Sequence, residues 1–195
     1  MDSKSSLQSL IENLDSVASC VNIDLHNPAW FDEWDIPNMR GWYFVRTDAP
    51  VEMLRCLNPP SATYLRKKDR VVAKVKNINI PARAARYTDA LAHCWNVTDV
   101  YSGMAAKLRA RAKEHTRPDP GTGGLALGHY PELRDHNWVF GFVRLDRLQD
   151  ISHFCLSSGS ADMLLRLGEQ AWRARHGWPL LCRRRPPTRA TPRFI

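Results

Sequence analysis

Five residues of this chain have types and spacings that could do chemistry: Tyr43, Tyr101, Arg111, His115 and Glu169. The stretch Val100-Tyr101-Ser102-Gly103 reads as a strand that ends at a tyrosine and turns at a glycine. A basic helix follows, Lys107-Leu108-Arg109-Ala110-Arg111, and continues to His115. Arg111 and His115 are four apart, so a helix puts them on one face. A tyrosine, an arginine and a histidine gathered at a strand-to-helix junction can handle a phosphate and a proton. Arg offers a planar fork of donors that matches phosphate oxygens. Upstream, Gly41-Trp42-Tyr43-Phe44-Val45 is a second tyrosine strand, and downstream Glu169 is a candidate carboxylate for a metal ion.

These residues need elements to hold them. Leu7, Leu10, Ile11, Leu14 and Val17 have helical spacing and predict a helix over 4–19. An acidic, aromatic loop from His26 to Pro37 is expected to pack over one end of the core. Gly41 to Arg46 is a strand by its aromatic and β-branched content. Thr63 to Arg66 and Val71 to Ile80 read as two strands joined by the basic turn Lys67-Lys68-Asp69-Arg70. A helical piece over 83–95, a strand over 97–101 and a helix over 105–115 follow. The prolines and glycines of 118–124 make a loop, 137–145 is a strand, and Ser160 can cap a helix over 161–176 that stops at Gly177. The order implies an α/β (α+β) fold: a small, mainly antiparallel three-stranded sheet flanked by helices, with an inserted basic β-ribbon and an N-terminal helix. The division is 1–40 for the helix and aromatic loop, 41–182 for the domain carrying the site, with an insertion at 50–96, and 183–195 for a basic, disordered tail.

Taken in order, the motifs resemble the GIY-YIG nuclease family. Gly41-Trp42-Tyr43 looks like its first motif and Tyr101-Ser102-Gly103 like its second. Arg111, eight residues after Gly103, looks like its helix arginine, and His115 falls where the family carries Tyr or His. Glu169 looks like its metal-binding glutamate. The resemblance implies a DNA endonuclease that hydrolyses phosphodiester bonds with Mg²⁺ (or Mn²⁺) held by Glu169. Arg111 would sit on the scissile phosphate, Tyr101 and Tyr43 would orient and deprotonate water, and His115 would relay the proton. The long gap between Tyr43 and Tyr101 implies a site-specific, restriction-type member. The chain departs from the pattern at Ser102 and Met104. It departs again at Trp178-Pro179-Leu180-Leu181-Cys182, where the family's asparagine is missing.

The charge distribution points to a polyanionic partner. The net charge is +8, but residues 1–49 carry three Lys/Arg against eight Asp/Glu, and residues 50–96 carry nine against three. The last thirteen residues hold five Arg and no acid. Such clustering suits contacts to nucleic acid, here double-stranded DNA, through Lys67, Lys68, Arg70, Lys74, Lys76 and Arg109. No apolar run is long enough to span a bilayer, and no secretory leader is visible, so a cytoplasmic protein without a membrane partner is expected. The five cysteines form no Cys-x-x-Cys pair and are expected to be free thiols. Two other readings remain open from the residues alone. One is a catalytically inactive nucleic-acid-binding module on the same fold. The other is a basic interaction protein whose motif matches are accidental.

Overall fold

A computed structural model describes residues 12–66, 68–152 and 160–183. Strands β1 (Ser19–Ile23), β2 (Gly41–Thr47), β6 (Asp99–Ala105) and β7 (Trp138–Arg144) make one antiparallel sheet in the order β1-β7-β2-β6. The fold is the expected α+β type, with a main antiparallel sheet flanked by helices, but the sheet has four strands. The fourth, β1, pairs Ser19–Ile23 with Trp138–Phe142. The predicted N-terminal helix lies outside the described residues over 4–11. Its end is a 3₁₀ turn, Leu14–Val17, and the chain is extended from Ser19 on. Alternation explains this: Val21 and Ile23 face the core while Cys20 stays exposed, a period of two that the helical spacing upstream obscures.

β2 is central and buried on both faces. Trp42 and Phe44 point to one side, Tyr43 and Val45 to the other. On the first side lie α4 (Leu145–Ser152) and α5 (Ala161–His176), where Trp172 stacks on Phe44 at 5.3 Å between centroids. Gly141 of β7 makes room for that ring, since a Cβ there would stand 2.1 Å from Phe44 Cζ. On the second side lies α3 (Leu108–Thr116), which buries Leu108, Ala112 and His115. The aromatic loop covers this helix as expected: Trp30, Phe31 and Ile36 are buried, and Trp30 Nε1 donates to Thr116 Oγ1 at 3.2 Å.

Gly103 is not a turn. It sits inside β6, paired with Tyr43, and a Cβ on it would stand 2.7 Å from the Tyr43 hydroxyl. The glycine is there so that the Tyr43 ring can lie across the strand, and helix α3 starts later than expected, at Leu108.

The insertion holds α1 (Val51–Cys56), the two-stranded ribbon β3 (Thr63–Leu65) and β4 (Val72–Lys74), α2 (Ile80–Ala84) and a 3₁₀ segment Asp89–Cys94. The expected strand to Ile80 stops at Lys74, and the expected helix over 83–95 is broken in two. Pro81 falls in the first turn of α2, whose N-cap Asn79 accepts from the Ala82 N–H. A short parallel pair, β5 (Trp95–Asn96) with β8 (Trp178–Pro179), brings the segment after α5 back to the sheet. Arg83 and Arg86 of the insertion donate to carbonyls of that segment. Arg83 reaches Leu181, and Arg86 reaches Leu180 and Cys182 at 2.9 and 2.6 Å. The insertion thus holds the chain end against edge strand β6. No helix among the described residues is long and apolar enough to cross a membrane.

Candidate active site

β2, β6 and α3 bring Tyr43, Tyr101, Arg111 and His115 together. The Tyr43 hydroxyl is the hub. Arg111 Nε donates to it at 2.8 Å, and His115 Nε2 lies 3.0 Å away. His115 Nδ1 accepts the Leu125 N–H at 3.1 Å, so the ring proton of a neutral imidazole sits on Nε2 and is donated to Tyr43. The Tyr43 oxygen therefore collects two donors. Tyr101 packs beside this group, its ring 5.0 Å from His115 and 6.1 Å from Tyr43.

Burial sets the charge states here. Tyr43 is 1% exposed and His115 is fully enclosed. Burial, with Tyr101 adding to it, pushes the Tyr43 phenol well above its ordinary range, against the pull of Arg111. Burial and the Arg111 charge push His115 well below 6.5, so it is neutral. Burial works against the Arg111 charge, but Tyr43 and Glu114 outweigh it and hold the guanidinium charged. Besides Tyr43, Arg111 grips Glu114 with Nη1 at 2.6 Å and the Gly123 carbonyl with Nη2 at 3.1 Å. Its side chain stays 20% exposed, so this is the charged edge of the cluster that solvent reaches.

Glu169 lies across the edge strand. Successive residues of a strand point to opposite faces, so Tyr101 joins the Tyr43 cluster while Ser102 faces α5. Glu169 Oε1 accepts from Ser102 Oγ at 3.1 Å and from Arg173 Nη2 at 2.6 Å. Arg173 also donates to Ser102 Oγ at 3.0 Å and lies over the Trp178 ring. Cys182, in the segment that lacks the family's asparagine, completes the group. Its Sγ accepts the Ser102 N–H at 3.4 Å, and burial raises its thiol pKa. Of the five predicted residues, then, four meet around one hydroxyl and the fifth belongs to a separate buried ion pair.

A hard divalent ion needs oxygen ligands with charge to spare. Glu169 Oε1 carries a cation at 2.6 Å, and the side chain is 10% exposed. So arranged, these residues do not fit Mg²⁺ or Mn²⁺.

Of the predicted DNA contacts, Lys68, Arg70, Lys74 and Lys76 are exposed on the ribbon, and Lys67 lies outside the described residues. Arg109 is engaged otherwise: its Nη2 meets Asp32 of the aromatic loop at 2.6 Å. Sequence reasoning missed Glu114 and Gly123 as partners of Arg111 and Leu125 as the group that fixes the His115 tautomer. Two of the partners carried a local signal: Glu114 at i+3 from Arg111 and Arg173 at i+4 from Glu169. Comparison with family models, with curated proteins and with solved structures returned no match.

Proposed function

We propose that this protein is a DNA endonuclease of the GIY-YIG type. The observation that carries the reading is the convergence on one tyrosine oxygen of residues drawn from both tyrosine motifs and the arginine helix. Arg111 and His115 share the Tyr43 hydroxyl beside Tyr101.

The division of labour follows from exposure. A phosphate displaces Glu114 and the Gly123 carbonyl from the two terminal nitrogens of Arg111, and Nε stays on Tyr43. Tyr43 is too enclosed to touch water and acts as a positioning residue that aims the guanidinium. His115, neutral and hydrogen-bonded at both nitrogens, holds Tyr43 in turn. Tyr101 is only partly buried, and its hydroxyl has no hydrogen-bond partner among the described residues, so it is the tyrosine that can orient the attacking water. The water oxygen adds to phosphorus and gives up a proton to solvent, the phosphorus–oxygen ester bond to one neighbouring sugar breaks, and the oxygen so released takes a proton from solvent.

A second reading, a phosphodiester-binding module without cleavage, is favoured by one observation: Arg173 closes the Glu169 carboxylate. Plasmid nicking and duplex binding, each measured with Mg²⁺, Mn²⁺ or EDTA, separate the two. Cleavage by the wild type that falls on the order of 10²–10³ in Arg111→Ala supports the endonuclease. Binding without cleavage in every condition supports the module. Neither binding nor cleavage rejects both.

A further inference from the structure

We infer that the β3–β4 ribbon is a wedge that inserts the Leu65–Val72 pair into the minor groove of duplex DNA and unstacks a base step there. The inference rests on the nucleic-acid reading above and names the contact that reading leaves open.

Register defines the two faces of the ribbon. Tyr64 pairs with Ala73, and Leu65 pairs with Val72. Directly opposed residues share a face and successive ones alternate. Tyr64 turns inward, its hydroxyl against Gly121 of the 118–124 loop. Leu65 and Val72 must therefore turn outward with Thr63 and Lys74, and they are 53% and 67% exposed, with Val71 beside them at 50%. Strands this short gain nothing by presenting a cross-strand aliphatic pair to water.

What surrounds the pair selects the occupant. Residues 61–77 carry six Lys/Arg and a single acid, Asp69, which is taken by Arg66 at 2.7 Å. Lys68, Arg70, Lys74 and Lys76 have no acidic partner among the described residues. An apolar tip ringed by unpaired cations fits a groove whose rims are phosphates and whose floor is stacked bases. Apolar side chains inserted between base steps distort DNA in this way. The ribbon is also tied to the site. Lys76 N donates to the Pro120 carbonyl at 2.9 Å, Ile78 N to Gly124 at 2.9 Å, and Asn77 Nδ2 to Asp119 at 2.9 Å, while Gly123 of the same loop accepts from Arg111. One loop therefore holds both the base of the ribbon and Arg111.

The test uses the full chain and a duplex with 2-aminopurine at each position in turn. Binding should raise fluorescence severalfold at one step and shorten the end-to-end distance read by energy transfer. The pair Leu65→Ser and Val72→Ser, both exposed and so harmless to folding, should abolish both signals and leave the salt dependence of binding intact. Lys68→Ala, Arg70→Ala and Lys74→Ala together should flatten that dependence by roughly 0.9 slope units per lost phosphate contact. DNA bound without unstacking, or unstacking that survives the serine pair, overturns the wedge and leaves the nuclease reading standing. A dimer in solution that the serine pair dissociates would assign the face to a second copy and also overturn it. A protein that binds no DNA loses both readings.

Discussion

On one side of edge strand β6 a neutral phenol collects two donors; on the other a carboxylate meets a guanidinium. Both groups are buried and both carry residues that the sequence marked for chemistry. They handle burial differently. The Tyr43 cluster keeps its enclosed members uncharged and exposes only the Arg111 edge, whereas the Glu169 cluster encloses two full charges and cancels them. In the first arrangement the ion pair of Arg111 with Glu114 is 20% and 40% exposed, so an anion from solvent can compete with Glu114 for the guanidinium. The second has no charge to offer. The Glu169 side joins α5 and Cys182 to β6, and the Tyr43 side carries the charge that solvent reaches.

The two sides should break by different amounts, and the largest effect belongs to Glu169. Removing one member of a buried ion pair strands the other charge and costs about 3–5 kcal/mol. Glu169→Ala should lose that much in urea denaturation, and Arg173→Leu added to it should recover a large part. A loss under about 1 kcal/mol would mean that Glu169 is not committed to Arg173 in solution. It would then reopen the carboxylate to a metal.

Tyr43→Phe comes next. It strands the buried Nε2–H of His115, which no water reaches, whereas Arg111 Nε can turn to solvent. An unsatisfied buried donor costs roughly 1–3 kcal/mol. Urea midpoints of the two proteins give the number, and an unchanged midpoint would mean that the hydroxyl is not shared as described.

The third effect appears only with pH. His115 has its folded pKa pushed below the unfolded value of about 6.5. Above that value both states are neutral and nothing changes. Below it the unfolded chain binds a proton that the folded one refuses, so stability falls as pH falls toward the folded pKa. Between pH 7.5 and 5 the wild type should lose more stability than His115→Gln, as read from urea midpoints at each pH. The other histidines and the carboxylates are common to both proteins and cancel. Equal losses would show that His115 is protonated in place.

The same comparison explains what the sequence could reveal. Tyr101, Arg111 and His115 were legible because their spacing is local: a strand, a short connection and one helix face fix it. Helix 161–176 was legible from its terminal glycine, and its bounds agree with the structure, although the Ser160 side chain makes no capping bond. The spacing of Glu169 allowed an ion pair with Arg173 on a helix surface, but not its burial against Ser102. Its surroundings depend on which way β6 presents Tyr101 and Ser102, a choice made by the pairing with β2. Gly103 misled for the same reason, since a glycine that admits a ring from the next strand looks like a turn glycine. Strand β1 was hidden because the helical spacing upstream runs into it.

The smallest effect tests the assignment of charge along α3 itself. Arg109 and Arg111 lie two apart on one helix, yet only Arg111 reaches the tyrosines. Arg109 meets Asp32 at 2.6 Å, with side chains 40% and 57% exposed. Exposed pairs contribute about 0–1 kcal/mol, because water screens them and two long side chains must be ordered. The aromatic loop does not depend on this pair: the Leu108 N–H reaches the Met39 carbonyl, the Arg109 N–H reaches Pro37, and Trp30 and Phe31 are buried. Arg109→Ala should therefore cost less than about 1 kcal/mol, and a double-mutant cycle with Asp32→Ala should return a coupling no larger. Its DNA affinity should change less than about twofold, with the salt slope unaltered. A slope that drops by roughly 0.9 would show that DNA takes Arg109 from Asp32 on binding. The recruiting surface would then extend along the helix from Arg111 to its N-terminus, and the acidic loop would be a competitor that DNA displaces.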